Sequence, residues 1–361
     1  MLFDSVPRAF GLDIGDFSLK LTVLERRRDF RGRHNFFLKN YGAIGLPPGL
    51  IIDGEIKDAL KLKIFIKSLL KQAVLGPVKF RGVIASLPEN RTFLKEISIP
   101  KLINGNSFPL IREELEKQIP TPLDELYLDW QEMEPVKSKG EVKIVVAAAP
   151  KTLVDSYTAL LESAGLQPLV FEIESLALSR TIIGDQEFSP EDTKIIIDIG
   201  AERTSIIFWR NGAPRLSVSS ESSGHAITSA IAEKQKITLT EAEKIKLQCG
   251  LDPENCPGEI KEIISKNLEE LVKDTKSAIR YYLERVSPET RIEKIILSGG
   301  GANLDKLESI LSQELKIKVR QAVPITNFKK PKYLAWTPKH HLSFATALGL
   351  ARRAAENRIF E

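Results

Sequence analysis

Two short turns of the same type, far apart in the sequence, carry the residues best suited to phosphate chemistry. Each joins two apolar, strand-like runs and places a glycine two residues after an aspartate: Asp13-Ile14-Gly15 and Asp198-Ile199-Gly200. Glycine at such a turn leaves backbone N–H groups open to a phosphate, and the carboxylate can hold a hydrated divalent cation. One Asp-x-Gly turn is ordinary hairpin chemistry. Its recurrence in matching contexts predicts two turns that face one nucleotide.

Charge decides what else such a site requires. A nucleoside triphosphate carries about four negative charges, so Asp13 and Asp198 would repel it unless a divalent cation lay between them. Magnesium is therefore implied, with both aspartates as its carboxylates, acting through water. Lys20 lies on the strand after the first turn, where its ammonium could meet a terminal phosphate. A solvent-facing strand lysine is the alternative.

A glycine run in the second half of the chain is a further candidate. Gly299, Gly300 and Gly301 join a buried strand at 295–298 to a predicted helix. Without side chains, a ligand can lie against the backbone there, and a helix N-terminus favours an anion or a polar ring. A flexible loop is the alternative.

The elements that position these residues form two lobes, because 361 residues exceed the size of a single hydrophobic core. Apolar periodicity predicts a hairpin after the first turn, a helix at 59–74 and a buried strand at 82–88. Residues 89–143 predict a compact β-α-β-β unit inserted into this first lobe. Residues 184–190 are the best candidate for a linker. The second lobe is predicted to contain three strands between 194 and 218, followed by a helix-rich stretch.

Composition limits the other function classes. A formal charge of +4, with both signs interspersed, gives no electrostatic case for a nucleic-acid partner. The two cysteines, Cys249 and Cys256, fit a reducing cytoplasm. No apolar stretch approaches a membrane span, and the N-terminus lacks the regions of a secretory signal, so we expect a chain that stays inside the cell. No P-loop, Gly-x-Gly-x-x-Gly fingerprint or histidine metal pair is present.

Taken together, the two hairpins, the glycine run and the helical insertion in the second lobe resemble the actin-like ATPases. The resemblance implies an α/β fold with duplicated RNase H-like lobes, a small β-α-β-β subdomain inserted in the first lobe, and ATP and Mg²⁺ as cofactors. It implies phosphate loops at the two turns and an adenosine loop at the glycine run. The residues concerned are Asp13, Gly15, Ser18 and Lys20, then Asp198, Gly200 and Thr204, then Gly299, Gly300 and Gly301.

Two further segments resemble parts of that superfamily. The run 171–177 resembles the first connecting segment, which implies that Glu174 orients attacking water. The run 239–246 is similar to the adenosine-contacting helix, which implies Glu243 and Lys246 near the ribose. An exposed helical ion pair at i, i+3 is the alternative for those two residues.

Within the superfamily, the chain resembles the PilM family of type IV pilus assembly. Four stretches carry the likeness: 46–56, Ser86-Leu87-Pro88, 116–126 and 164–168. The family implies a cytoplasmic protein with slow ATPase activity at most, attached to the inner membrane through partners. Its implied partner is the N-terminal cytoplasmic peptide of a PilN-like inner-membrane protein. The resemblance further implies contacts with other pilus machinery proteins and self-association, without direct insertion into the membrane.

The resemblance also implies four subdomains. They are a first lobe (1–88, 148–183 and 338–361), an inserted subdomain (89–147), a second lobe (184–225 and 290–337) and a helix-rich subdomain (226–289). An FtsA-like cell-division scaffold and a small-metabolite kinase of the same superfamily are the alternatives. FtsA normally ends in an amphipathic membrane helix, for which the last residues here are too short and polar. A kinase needs a substrate cluster that the compact insertion does not offer.

The sequence departs from the family pattern at two places. Asp16 and Phe17 stand beside the expected phosphate path, where relatives carry small residues, which predicts reduced affinity or turnover, although Ser18 can still donate to a phosphate. His225 stands where many relatives carry a second glycine, and its residue type alone gives no reason for it.

Overall fold

A computed structural model describes most of the chain. The described residues are 8–29, 32, 34–101, 107–133, 140–183, 192–251, 258–323, 328–334 and 336–356. Up to the predicted insertion, the elements are β1 (Ala9–Ile14), β2 (Ser18–Arg28), β3 (His34–Gly45), β4 (Ile51–Ile52), β5 (Glu55–Ile56), α1 (Ala59–Lys71) and β6 (Gly82–Leu87). The insertion and the elements after it are β7 (Phe93–Pro100), α2 (Phe108–Glu116), β8 (Leu126–Glu132), β9 (Glu141–Pro150), α3 (Lys151–Ser163), β10 (Gln167–Ile173) and α4 (Glu174–Ile182).

The second half of the chain contributes a matching set of strands and the longer helices. They are β11 (Asp192–Ile199), β12 (Thr204–Arg210), β13 (Ala213–Ser220), α5 (Gly224–Gln235), α6 (Leu239–Cys249), α7 (Gly258–Tyr281), β14 (Arg291–Ser298), α8 (Leu307–Leu315), β15 (Val319–Gln321), β16 (Phe328–Lys329), α9 (Pro338–Ser343) and α10 (Ala345–Ala355).

The two main sheets repeat one arrangement. The first has the order β10-β6-β1-β2-β3-β16, and the second contains β15-β14-β11-β12-β13. In each, three consecutive antiparallel strands are followed by a strand that pairs in parallel with the first of the three, and a further strand pairs in parallel with that one. The apolar runs in β6 and β11 are buried, as parallel strands covered on both faces require. The duplicated α/β fold predicted from the sequence is confirmed.

Helices α4 and α10 lie between the sheets and leave no space for larger side chains. A Cβ on Gly349 would lie 1.8 Å from the carbonyl oxygen of Ala177, so glycine is required where the helices cross. On the first sheet, Thr22 Oγ1 donates to the carbonyl of Ala347 at 2.7 Å. Close backbone packing therefore joins the C-terminal helix to the first lobe.

The predicted β-α-β-β unit is present as β7, α2, β8 and β9, with a small core of its own around Ile97, Ile111 and Ile144. Its sheet joins the second lobe, because Lys95 on β7 pairs with Leu216 on β13. The unit thereby extends the second sheet to eight strands, in the order β15-β14-β11-β12-β13-β7-β9-β8. This junction was not predicted.

Residues 328–329 pair with β3 in the first sheet, where Phe328 packs against Trp336, although the sequence assigned them to the second lobe. The predicted linker at 184–190 lies outside the described residues. The division into four subdomains stays a prediction. Within the described part of the chain, none of the helices combines the length and apolar character needed to span a bilayer.

Candidate functional site

The two Asp-x-Gly turns face each other across one cleft of about 320 Å³, which Lys20 also lines. Each turn closes with the same backbone hydrogen bond. Gly15 N–H donates to the carbonyl of Ser18 at 3.1 Å, and Gly200 N–H donates to the carbonyl of Arg203 at 3.0 Å. The duplicated strands thus present two equivalent turns to one space between the lobes.

Asp13 is fixed by contacts on both carboxylate oxygens. Lys20 Nζ donates to Oδ2 at 3.3 Å, and Ser86 Oγ donates to Oδ1 at 3.3 Å. Ser86 lies on the neighbouring β6, and its hydroxyl also accepts a hydrogen bond from Ile14 N–H at 3.0 Å. The side chain of Lys20 keeps 25% of its surface exposed. Its ammonium group is therefore accessible from the cleft.

Three more carboxyl groups, those of Glu89, Glu174 and Asp198, share this end of the cleft. Burial raises the pKa of Asp198 to about 6, although Ser298 and Lys20 act in the opposite direction. Burial also raises the pKa of Glu174 well above its ordinary value, and the negative charge of Asp13 raises it further. Such a cluster favours a cation or bound protons.

Glu89 is a cleft residue that the sequence analysis did not identify. Burial raises its pKa, and its Oε2 accepts a hydrogen bond from Ser175 N–H at 2.9 Å. It thereby caps the first turn of α4, on which Glu174 lies. Its position in the sequence could have indicated a place in the cleft. Glu89 comes two residues after the end of β6, which runs parallel to β1, and parallel strands end at the same edge of a sheet.

The cleft contains no metal cage made of protein side chains alone. Across the described ranges, no three His, Cys, Asp or Glu side chains converge as a metal-binding group. The assignment of Asp13 and Asp198 to magnesium stays a prediction.

The glycines of the site fall into two groups. Gly299 has a φ of +82°, and a Cβ there would lie 2.4 Å from the carbonyl oxygen of Ile199; a Cβ on Gly301 would lie 2.2 Å from Ile199 Cγ2. Protein packing therefore requires both. At Gly15 the nearest atom to a Cβ would lie at 3.5 Å, and at Gly300 nothing lies within 4 Å. These two leave open space along the cleft wall.

A larger pocket of about 1010 Å³ continues from the cleft toward α6. Leu239, Leu247 and Leu304 contribute apolar walls, and Glu243 and Lys246 also line it. The Lys246 ammonium donates to the Gly224 carbonyl, to Thr228 Oγ1 and to Glu243 Oε2, at 2.9, 2.9 and 2.7 Å. These three bonds use all its donors and join α5 to α6.

An aromatic pair lies where the two pockets meet. The rings of Phe17 and His225 stack with centroids 4.5 Å apart and an angle of 21° between their planes. Phe17 follows the first turn, and His225 is the second residue of α5, after the strands β11 to β13. The two departures noted in the sequence therefore contact each other across the cleft.

Most predicted site residues line this continuous space. Those that do are Asp13, Gly15, Lys20, Glu174, Asp198, Gly200, Glu243, Lys246, Gly299, Gly300 and Gly301. Ser18 and Thr204 are not among the lining residues. The Thr204 hydroxyl donates to the carbonyl of Ser222 at 2.6 Å and so fixes the backbone just after β13.

A second concave surface, the groove, lies on the inserted subdomain and has a volume of about 340 Å³. The rings of Phe108 and Trp130 stack in it at 5.4 Å, and Tyr127 is 48% exposed. Helix α3 forms one side: Lys151 Nζ lies 5.7 Å from the centre of the Tyr127 ring, and Tyr127 OH donates to Asp155 Oδ1 at 3.2 Å. This surface offers aromatic walls between charged side chains.

Comparison with known proteins agrees with this geometry. A solved structure described as the PilM-PilN type IV pilus biogenesis complex is 28% identical and covers 97% of this chain and 99% of its own, with a TM-score of 0.82. MreB5 of Spiroplasma citri bound to ADP matches at 12% identity over 98% and 99%, with a TM-score of 0.57, which shows the actin-like fold. The cell division protein FtsA of Enterococcus hirae is 22% identical over 87% of this chain and 78% of FtsA.

A family model described as type IV pilus assembly protein PilM matches residues 11–355, nearly the whole chain. This match favours pilus assembly over the division-scaffold and kinase alternatives. The chain belongs to the PilM family of type IV pilus assembly proteins.

Proposed function

We propose that this chain is a nucleotide-controlled assembly protein of type IV pili. It binds magnesium ATP between its lobes and, in its groove, the N-terminal cytoplasmic peptide of a PilN-like inner-membrane protein. The observation that carries the proposal is the pair of Asp-x-Gly turns facing one cleft in a member of the PilM family. A nucleotide bound between two lobes favours the closed arrangement of the lobes, so the consequence of binding is a change in the conformation of the protein.

The residues present fit a magnesium nucleotide. Open backbone at Gly15 and Gly300 gives a phosphate chain room to approach, and Lys20 supplies an accessible positive charge. The carboxylates of Asp13 and Asp198 would hold the cation through water, and the bound cation would offset the repulsion between phosphates and carboxylates. Actin-like neighbours described with ADP support a nucleotide as the ligand class.

Glu174 is the group that we assign to orienting attacking water. Its place at the start of α4, held by the contact of Glu89 with Ser175 N–H, points it into the cleft. Burial and the negative charges of neighbouring carboxylates raise the pKa of Glu174, which disfavours the ionised form that would accept a proton from water. We therefore expect slow hydrolysis at most.

The groove is the site that we assign to the partner peptide. An extended apolar peptide would find aromatic surface at Phe108 and Trp130, and cationic groups at Arg112 and Lys151. The similar solved structure is described as a complex with PilN, which supports this partner class. Attachment to the inner membrane would then be indirect, through the partner.

Calorimetric titration with ATP, with and without magnesium, tests the nucleotide site. We expect binding that depends on magnesium, with slow or no phosphate release in the same samples. Asp13→Ala and Asp198→Ala should each weaken binding at least tenfold while circular dichroism stays unchanged. Equal affinity in the wild type and both variants would refute the site.

Titration with the partner's N-terminal cytoplasmic peptide tests the groove. Trp130→Ala should weaken peptide binding about tenfold or more, because it removes an aromatic wall. Tyr333→Ala is the matched control, since Tyr333 is an exposed aromatic residue outside the groove. Equal losses in both variants would contradict the assignment.

A further inference from the structure

The hairpin turn between β4 and β5 belongs to a stretch that carried the family resemblance but has no role in the function proposed so far. Its two central residues, Asp53 and Gly54, have φ values of 51° and 76°. Positive φ at both positions is the signature of a type I′ turn, for which Asp-Gly is a preferred pair. A Cβ on Gly54 would lie 2.5 Å from Pro88 Cγ. The turn is therefore packed tightly against the loop after β6.

The second lobe contacts this turn directly. Arg203 Nη2 donates to Asp53 Oδ1 at 2.6 Å, which joins the two lobes by an ion pair. Arg203 is also the residue whose carbonyl closes the second phosphate turn. Any change in the position of that turn relative to the first lobe must therefore lengthen or reorient the contact with Asp53.

The first phosphate turn contacts the same hairpin. Asp16 Oδ1 accepts a hydrogen bond from Gly54 N–H at 3.1 Å. The Asp16 carboxylate, expected from the sequence to disturb the phosphate path, thus bonds to the hairpin. Both turns therefore contact the hairpin at adjacent residues: the second turn contacts Asp53, and the first contacts Gly54.

From this hairpin a third contact leads toward the groove. Tyr157 OH donates to the carbonyl of Gly54 at 2.9 Å, and the Tyr157 side chain is completely buried on α3. The same helix carries Lys151 and Asp155 at the groove. Lys151 and Tyr157 are six positions apart on this helix, a rigid length of about 9 Å.

We propose that the Asp53-Gly54 turn couples the nucleotide cleft to the groove, transmitting the relative position of the two phosphate turns through Tyr157 and α3. This inference rests on the proposed function, since it needs ligands at both sites. The coupling element has two states. In one the contact between Asp53 and Arg203 is formed, and in the other it is broken. Ligands that favour lobe closure keep the contact made and keep α3 in the position that forms the groove.

The experiment compares the affinity of the full chain for the partner's N-terminal cytoplasmic peptide with and without saturating magnesium ATP. In the wild type we expect magnesium ATP to strengthen peptide binding about fivefold or more. Asp53→Asn keeps the turn geometry, because asparagine tolerates positive φ, and removes the charge that pairs with Arg203. Tyr157→Phe removes only the hydroxyl that bonds to Gly54.

In both variants we expect magnesium ATP to change the affinity for the peptide by no more than about twofold. Nucleotide affinity and peptide affinity without nucleotide should each stay within about threefold of wild type. Matched controls are Glu55→Gln, on the same hairpin, and Tyr282→Phe, a second fully buried tyrosine in the other lobe. Both controls should keep the wild-type effect of magnesium ATP.

The outcomes separate this inference from the function on which it rests. If the wild type shows the effect and both variants keep it, the hairpin is not the coupling element and the proposed function stands. If the wild type binds neither nucleotide nor peptide, or binds both without any mutual effect, the proposed control by nucleotide falls and this inference falls with it. A loss of the effect in the control variants as well would also overturn the assignment.

Discussion

The two Asp-x-Gly turns share a backbone arrangement and differ in charge. Both close with the same hydrogen bond from a glycine N–H, and both place their aspartate at a strand end. In the first turn, however, the residue paired with Asp13 across the strands is Lys20, whereas the residue paired with Asp198 is Ser205. One aspartate therefore lies in an ion pair, and the other faces a neutral serine and has a pKa of about 6. The two turns share one scaffold, and the surroundings of each aspartate determine its electrostatics.

The largest effect is expected from removing the charge of the aspartate in the second turn with Asp198→Asn. A pKa of about 6, against an ordinary value of 3.8, means that ionising Asp198 opposes folding by about 3 kcal/mol above pH 7. The variant should therefore be more stable than wild type at pH 7.5, and the difference should vanish below about pH 4, where the group is protonated in both states. Denaturant unfolding without nucleotide, at several pH values, measures this. Asp13→Asn, which breaks the ion pair with Lys20, should show no such gain, and a gain independent of pH would contradict the prediction.

The next largest effect is a difference in nucleotide affinity between variants of Lys20 and Ser205, the residues paired with the two aspartates. Lys20→Met should weaken magnesium ATP binding about thirtyfold, or about 2 kcal/mol, because a charge-assisted contact to phosphate is lost. Ser205→Ala should change affinity less than threefold, since Ser205 brings no charge. Calorimetric titration of both variants decides, with circular dichroism as the control for folding. Equal losses would mean that the charge difference between the turns has no functional consequence.

A smaller effect is expected in the free energy of unfolding, when the glycines of the two turns, Gly15 and Gly200, are each replaced by alanine. A Cβ on Gly200 would lie 2.7 Å from the carbonyl oxygen of Arg203, while one on Gly15 would find its nearest neighbour at 3.5 Å. Gly200→Ala should therefore lower the free energy of unfolding by about 1–2 kcal/mol, and Gly15→Ala by less than about 0.5 kcal/mol. Denaturant unfolding tests both. If Gly15→Ala nevertheless weakens nucleotide binding, the open space beside Gly15 belongs to the ligand.

The smallest effect is expected from the stacked rings of Phe17 and His225, which lie where the two pockets meet. A double-mutant cycle of Phe17→Leu and His225→Leu should give a coupling energy of about 0.5–1 kcal/mol in unfolding, as expected for a stacked aromatic pair. Additive effects of the two substitutions would show that the stack contributes nothing to holding the lobes together.

Local patterns in the sequence were sufficient to predict the duplicated turns, the glycine run and the β-α-β-β unit, since each depends on neighbouring residues. Contacts between distant segments were not predictable in this way. Glu89 and Ser175 are 86 residues apart in the chain, and neither has a pattern that names the other. Lys246 was expected near a ribose; it does line the pocket, but its ammonium is fully bonded to protein, a fact that depends on how α5 packs on α6.

The junction between β7 and β13 has a mechanical consequence. A partner tethered to a membrane and seated in the groove would pull on the inserted subdomain, and the strand pairing passes that load to the second lobe at Lys95 and Leu216. Beside this pairing, Arg215 Nη1 bonds to Glu96 Oε2 at 2.5 Å, with both side chains buried. Shear between the strands would have to expose two opposite charges at once. The pair therefore resists slippage at the point where tension from the membrane would enter the second lobe.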